Sequence, residues 1–369
     1  MASFEQRRGG WCARVFLGRD ENGRQKKAAK VFRTKREAEA WARSVETKVS
    51  TNSFVKPSKL TVSSYLKRWL DSTAMARVKP QTHESYTTMM RLHVIPEIGS
   101  IPLDRLTLSH VDALYGRLTS ATKLSPRSVR YIHSILRSAL DGAIRSDLIY
   151  RNPCALATLP KSVKVERTFL DAPQSARFLE AASEDEWYPL WLLLLTTGAR
   201  PSEALALKWS DLTNDSITIQ RTVIRTGNTW RFDSPKTARS TRTVPLPAST
   251  LAALKTLRKE QAQRRLRLGE KWEDNDLIFT NAGAPLDLRS LTKNHFDVIV
   301  ERASLDPSLS PYSLRHSHIS MLLAQGVGVL VVAARVGHSS PKMTLDIYGH
   351  TSEADRKAVV AVLDRLGVS

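Results

Sequence analysis

Tyr348, in Thr344-Leu345-Asp346-Ile347-Tyr348, stands ten positions after His338, in Gly337-His338-Ser339-Ser340-Pro341, and two arginines in helix-opening contexts, Arg200 and Arg315, come before them. A phenol set among guanidinium groups can attack a phosphodiester. Such a transfer builds negative charge on the non-bridging oxygens and on the leaving oxygen, so a catalyst that uses no metal needs fixed cations and a proton donor. Arg200, Arg315 and His338 are the expected cations, and Lys236, in Pro235-Lys236-Thr237, is the expected donor. A guanidinium suits the task because its planar fork meets two phosphoryl oxygens and keeps its charge. Removing one such donor should cost roughly 3 kcal/mol, on the order of a hundredfold in rate. The phenol, with an ordinary pKa of about 10, must lose its proton during attack, helped by positive neighbours or a base. Plainer readings stand beside these: Arg200 paired with Glu203 only to hold a loop, and Lys236 as an ordinary exposed turn lysine.

The elements that must position these residues follow from pattern. Residues 190–195 are an apolar run that predicts a buried helix ending at Thr197-Gly198. Pro201 suits the first turn of a new helix, since it has no amide to leave unpaired there. Arg200 then sits at a helix amino terminus, where an anion is welcome. Residues 217–224 alternate as one strand, Gly227-Asn228 turns, and Trp230-Arg231-Phe232 begins a return that leads to Lys236. Pro311-Tyr312-Ser313-Leu314-Arg315 opens another helix, with Ser310 or Ser313 as its cap. His316 and His318 are two apart, so they diverge on a helix and no shared metal is expected. Gly326 breaks that pattern, residues 330–336 form a further apolar helix, and Ser340-Pro341 starts a short last one with Tyr348 at its far end.

A chain of 369 residues has material for two or three domains. Its 56 Lys and Arg against 36 Asp and Glu leave +20, a surplus that favours a polyanionic partner. Through residue 56 there are 14 basic and 6 acidic residues, so the excess is densest at the front. There Trp11, Ala13, Val15 and Leu17 alternate with Cys12, Arg14 and Phe16, Asn22-Gly23 signals a hairpin, and residues 28–32 make a second strand. Thr34-Lys35-Arg36-Glu37 is a capping box ahead of Ala38, Trp41 and Val45 on one helix face. A small sheet backed by one helix results, with basic and aromatic side chains on its open face unless Trp11 and Phe16 are core. After a linker over residues 50–59, apolar stripes at helical spacing, such as Val62, Leu66 and Trp69 or Val129, Ile132 and Leu136, make residues 60–160 all-helical. A second linker covers residues 158–167. Cys12 and Cys154 are too few for a disulfide framework and fit a reducing compartment. No apolar leader opens the chain and no apolar run is long enough to span a bilayer, which predicts a cytoplasmic protein, or a nuclear one in a host with a nucleus.

The ordered series Thr197-Gly198-Ala199-Arg200-Pro201-Ser202-Glu203, Pro235-Lys236, Leu314-Arg315-His316-Ser317-His318, Val336-Gly337-His338-Ser339-Ser340 and Tyr348 resembles the tyrosine recombinase family. Within it the chain is similar to the phage-type integrases of temperate phages and integrative elements that carry an amino-terminal arm-binding domain. The resemblance covers nearly the whole length, its carboxyl-terminal motifs agreeing in order and spacing and its front in pattern alone. It implies a multidomain protein: a small α+β arm-type DNA-binding domain (three-stranded sheet plus helix) over residues 1–56, an all-α core-binding, SAM-like domain over 57–160, and a mainly-α catalytic domain with a small β-hairpin or sheet over 161–369. It implies Tyr348 as the nucleophile that forms a 3′-phosphotyrosine and frees a 5′ hydroxyl. Arg200 and Arg315 would bind the scissile phosphate, Lys236 would protonate the leaving 5′ oxygen, His338 would assist at the phosphate, and Glu203 would brace the site. Where the family commonly has His three residues before the second arginine, this chain has Tyr312, a weaker site residue that hydrogen-bonds but carries no positive charge. No cofactor, metal or ATP is expected, because the phosphodiester energy is kept in the protein link. The partners implied are double-stranded DNA at core and arm attachment sites and a homotetramer that passes through a Holliday junction, with residues 353–366 docking on a neighbouring subunit. A directionality factor and a host DNA-bending protein would be accessory. The rival readings are a type IB topoisomerase, against which the small basic front domain and the phage-like spacing speak, and a non-enzymatic DNA-binding regulator.

Overall fold

The computed structural model describes residues 2–7, 9–19, 23–51, 54, 59–161, 168–227, 229–233 and 241–348. The chain divides into two compact units, Met1–Lys164 and Val165–Ser369.

In the first unit, β1 (Ala2–Arg7), β2 (Gly10–Arg19) and β3 (Gln25–Phe32) form an antiparallel sheet in that order. The strand β1 was not visible in the apolar periodicity, because all of its residues after Ala2 are exposed. Ala2 and Phe4 are the only apolar residues of this edge strand, too short an alternation to read. The expected turn residue Asn22 lies outside the described residues. The helix Lys35–Ser50 starts in the expected capping box, with Glu37 N donating to Thr34 Oγ1 and Thr34 N donating to Glu37 Oε2, both at 3.3 Å. Its Ala38, Ala42 and Val45 bury against Ala13 and Val15. Trp11 packs on this core while Phe16 stays 39% exposed, so one of the two aromatics is core and the other faces out. Four longer helices follow, Val62–Trp69, Pro80–Met89, Leu108–Ser120 and Pro126–Arg145, and their apolar stripes meet in a core of their own.

The second unit is built around the helix Tyr188–Thr197, whose run of leucines is buried all round, with the helices Ala172–Ala182, Ala248–Leu268 and Pro311–Ala324 packed on it. Two antiparallel strand pairs lie beside it, β4 (Ser216–Ile219) with β7 (Arg242–Pro245) and β5 (Thr222–Thr226) with β6 (Thr229–Asp233). The single strand expected over 217–224 is therefore two. It breaks at Gln220-Arg221 because both side chains fold back onto the buried Asp211, Gln220 Nε2 donating to Oδ1 at 2.7 Å and Arg221 Nη2 to the same atom at 3.0 Å. The helices Val329–Val336 and Lys342–Tyr348 close the unit, joined through Gly337 at φ +68°, a left-handed turn that favours glycine. No helix among the described residues is long and apolar enough to cross a membrane.

Candidate active site

The helix Tyr188–Thr197 ends at Gly198 in the left-handed conformation, φ +64°. A Cβ there would come within 2.6 Å of the His318 ring, so the glycine lets the chain turn tightly over the Pro311–Ala324 helix. Two residues on, Arg200 caps the one-turn helix Pro201–Ala204. Glu203 folds back on it, its Oε2 accepting from Arg200 N at 3.0 Å and its Oε1 from Arg200 Nη1 at 2.6 Å. The loop-holding pair is therefore present, and it leaves the Arg200 side chain 32% exposed. The Glu203 carboxyl is buried, which pushes its pKa up, but the guanidinium groups of Arg242 and Arg200 outweigh burial and hold it below the ordinary carboxylate range.

Arg315, on the second turn of its helix, is 4% exposed. Its Nη1 donates to Gly198 O at 2.6 Å, and its Nη2 is buried with no hydrogen-bond partner among the described residues. Burial and then the charge of Arg200 lower its pKa to about 9, which still leaves it charged at neutral pH. A buried charged donor left unmatched costs free energy that an anion would recover. Arg200, Arg242 and Arg315 cluster electrostatically around the single carboxylate of Glu203, so positive charge is in excess.

His338 departs from its expected role as a cation. It is buried, and burial first, then Arg315 and Arg200, lower its pKa to about 4, so it is neutral at neutral pH. A neutral imidazole offers hydrogen bonds rather than charge. Its Nδ1 lies 2.8 Å from Thr344 Oγ1, on the helix that ends at Tyr348. Thr344 is wholly buried and stands four residues, about one turn, before Tyr348, on the same helix face. The backbone of Tyr348 completes that helix; its side chain, Lys236 and residues 353–366 lie outside the described residues. Tyr312 is three residues ahead of Arg315, 44% exposed, and close enough for its phenol to act electrostatically on that arginine. His318 diverges from His316 as expected: its Nδ1 lies 2.9 Å from Leu195 O, and its Nε2 accepts from Arg335 Nε at 3.3 Å. Among the described residues no group of three His, Cys, Asp or Glu is placed to hold a metal ion.

Two residues of the cluster were not anticipated. Arg242 donates from Nη2 to Glu203 Oε2 at 2.9 Å and from Nε to Arg335 O at 2.8 Å. The alternation of β7, which buries Arg242 and Val244 and exposes Thr243 and Pro245, was the available signal. For Thr344 the signal was its spacing of one turn from Tyr348.

Residues 168–355, just over half of the chain, match the model of the phage integrase family. The chain belongs to that family. It is accordingly a tyrosine-type, site-specific DNA recombinase. Ahead of that match, residues 61–118 fit the N-terminal SAM-like domain of phage integrases and residues 4–49 an arm DNA-binding domain. The recombinase is 29% identical over 359 residues to an integrase of Streptomyces ambofaciens, covering 94% of this chain and 90% of that one. It is 25% identical over 374 residues to a XerC-like tyrosine recombinase of Caldanaerobacter subterraneus subsp. tengcongensis, covering 95% of each. Its fold is that of the Tn1549 transposon integrase solved with a circular intermediate DNA, with a TM-score of 0.69 at 22% identity over 82% of this chain and 99% of that one. A lambda integrase tetramer bound to a Holliday junction has the same fold, with a TM-score of 0.61 at 20% identity over 94% of this chain and 95% of that one. This is a multidomain recombinase fold with an amino-terminal three-stranded sheet and a mostly helical body.

Proposed function

We propose that this recombinase integrates and excises a phage or mobile element through a 3′-phosphotyrosine intermediate carried by Tyr348. The phenol gives up its proton to solvent as its oxygen bonds to the scissile phosphorus, the bond from phosphorus to the 5′ oxygen breaks, and Lys236 gives that oxygen a proton. The freed 5′ hydroxyl of a partner strand then reverses the step, so neither ATP nor a redox partner enters. Arg200 and Arg315 hold the non-bridging oxygens, neutral His338 adds a hydrogen bond, Glu203 keeps Arg200 in place, and Tyr312 contacts the DNA beside Arg315. The observation that carries this reading is the buried Arg315, with one guanidinium nitrogen fixed on Gly198 O and Nη2 unmatched among the described residues, next to an Arg200 held by Glu203.

The same reading divides the chain into an α+β arm-type DNA-binding domain over 1–56, a helical SAM-like core-binding domain over 57–160 and the catalytic domain over 161–369. Double-stranded DNA at core and arm attachment sites is the substrate, and four protomers act together on a Holliday junction, as in the lambda integrase tetramer. A directionality factor and a host DNA-bending protein would assist, in the bacterial cytoplasm or nucleoid. The test is a suicide substrate carrying the attachment site. The wild type should form a covalent adduct, Tyr348→Phe none, and strands should exchange between two duplexes. Relaxation of supercoils without exchange would favour a topoisomerase, and no adduct from the wild type would sink the enzymatic reading.

A further inference from the structure

Arg242 is a buried cation with no place in the phosphate chemistry just described. It reaches in from β7, with its side chain 6% exposed, and its planar fork spans two separate parts of the site. One arm, Nη2, meets Glu203 Oε2, the same oxygen that accepts from Arg200 N, at 2.9 Å. The other, Nε, meets the carbonyl of Arg335 at 2.8 Å, in the last turn before His338. Gly337 makes room for it: a Cβ there would stand 2.9 Å from Arg242 Nη1. The brace of Arg200 and the turn that presents His338 are therefore tied to one guanidinium.

We infer that Arg242 is a positioning residue for strand cleavage, which fixes Glu203, and through it Arg200, against the turn that carries His338. This rests on the function proposed above. Lysine at this position would keep the charge but could not span both acceptors, because it lacks the rigid fork. Burial alone would drive the Glu203 carboxyl toward its neutral form, and Arg242 is the largest of the influences that oppose this. A protonated Glu203 loses one of its two acceptor functions and releases the Arg200 side chain. Among the described residues, the charged groups facing Glu203 are Arg200 on its own turn, Arg242 on β7 and Arg315 on the Pro311–Ala324 helix, and those facing Arg242 include Arg335 and His338.

The experiment measures single-turnover adduct formation on the suicide substrate from about pH 5 to about pH 9 for the wild type, Arg242→Gln, Arg242→Lys, Glu203→Gln and the double variant Glu203→Gln/Arg242→Gln. Arg242→Gln should be slower by about tenfold to a hundredfold at neutral pH, the range expected when a supporting group is lost. The sign of its pH dependence is fixed: without Arg242 the Glu203 pKa rises, so activity falls as pH falls through the new value and recovers on the alkaline side. In the Glu203→Gln background the Arg242 change should add less than about threefold, and the new acid limb should vanish. Arg242→Lys should keep the wild-type acid limb at an intermediate rate, and it carries the test should Arg242→Gln fail to fold. An unshifted pH profile with losses that simply multiply would overturn the inference, as would full rate in Arg242→Lys. An acid limb that persists without the Glu203 carboxylate would assign the effect to His338 and overturn it too. A wild type that forms no adduct sinks the proposed function itself, whatever Arg242 does.

Discussion

Two arginine–histidine pairs sit in the same unit and use their polar atoms in opposite ways. Arg335 spreads its donors over Thr196 O at 3.0 Å, Pro245 O at 3.1 Å and His318 Nε2 at 3.3 Å, while His318 Nδ1 lies 2.9 Å from Leu195 O. That pair stitches three helices and the end of β7 together. Arg315, by contrast, spends one nitrogen on Gly198 O and leaves Nη2 unmatched among the described residues, and its companion His338 leans on the Thr344 hydroxyl. Both histidines are pulled to a pKa of about 4, by burial first and then by arginines, so a perturbed pKa does not tell the two pairs apart. Hydrogen-bond completeness does. Buried polar groups are nearly always satisfied, and a buried charged donor with no partner among the described residues is a group that an anion could complete.

The largest expected difference is between Arg315→Ala and Arg335→Ala. Loss of the unmatched donor should slow adduct formation on the order of a hundredfold to a thousandfold. Loss of the stitching arginine should instead lower stability by about 2 kcal/mol, read as a shift in denaturant midpoint, and leave the adduct rate of the folded protein within a few-fold. Catalysis lost equally in both variants would erase the distinction drawn here.

The second test uses pH. In the unfolded chain His318 takes up its proton near its ordinary 6.5, whereas in the fold it resists protonation down to about 4. The unfolded state therefore binds more protons between those values, so stability is full above about pH 6.5 and is lost as pH falls toward 4. Two and a half pKa units correspond to about 3 kcal/mol, an upper figure for so buried a group. Denaturation curves across that window should steepen in their pH dependence for the wild type and flatten for His318→Asn. Equal slopes would show that His318 is not a buried neutral brace.

The parts of the site legible in the sequence were those whose spacing carries meaning. Arg200 beside Pro201, Arg315 on the opening turns of a proline-led helix and His338 after Gly337 each occupy a junction that turn and cap chemistry can place. Charge states were not legible, because they depend on neighbours that converge from distant segments: His338 looked like a cation until burial and the charges of Arg315 and Arg200 were known. Arg242 was hidden for another reason. In a chain with 56 Lys and Arg, one more basic residue in a strand is unremarkable until its burial is known. The strand β1 was missed because its residues after Ala2 are exposed and only Ala2 and Phe4 are apolar, and the expected strand over 217–224 was split by a side-chain contact with Asp211 that no periodicity encodes.

The smallest effect concerns what each histidine leans on. A carbonyl only accepts, so His318 must carry its proton on Nδ1 and accept from Arg335 on Nε2. The Thr344 hydroxyl both donates and accepts, so His338 can hold its proton on either nitrogen and present Nε2 as a donor to a phosphate oxygen. Because Thr344 is one turn from Tyr348, the same contact ties that choice to the helix that carries Tyr348, the nucleophile of the proposed function. Thr344→Val, nearly isosteric, removes the hydroxyl at a cost of about 1 kcal/mol, or about fivefold in single-turnover rate, and Thr344→Ser should restore most of it. Were the valine variant as fast as the wild type, the hydroxyl would be mere packing, and the His338 side of the comparison would need another explanation for how its ring is held.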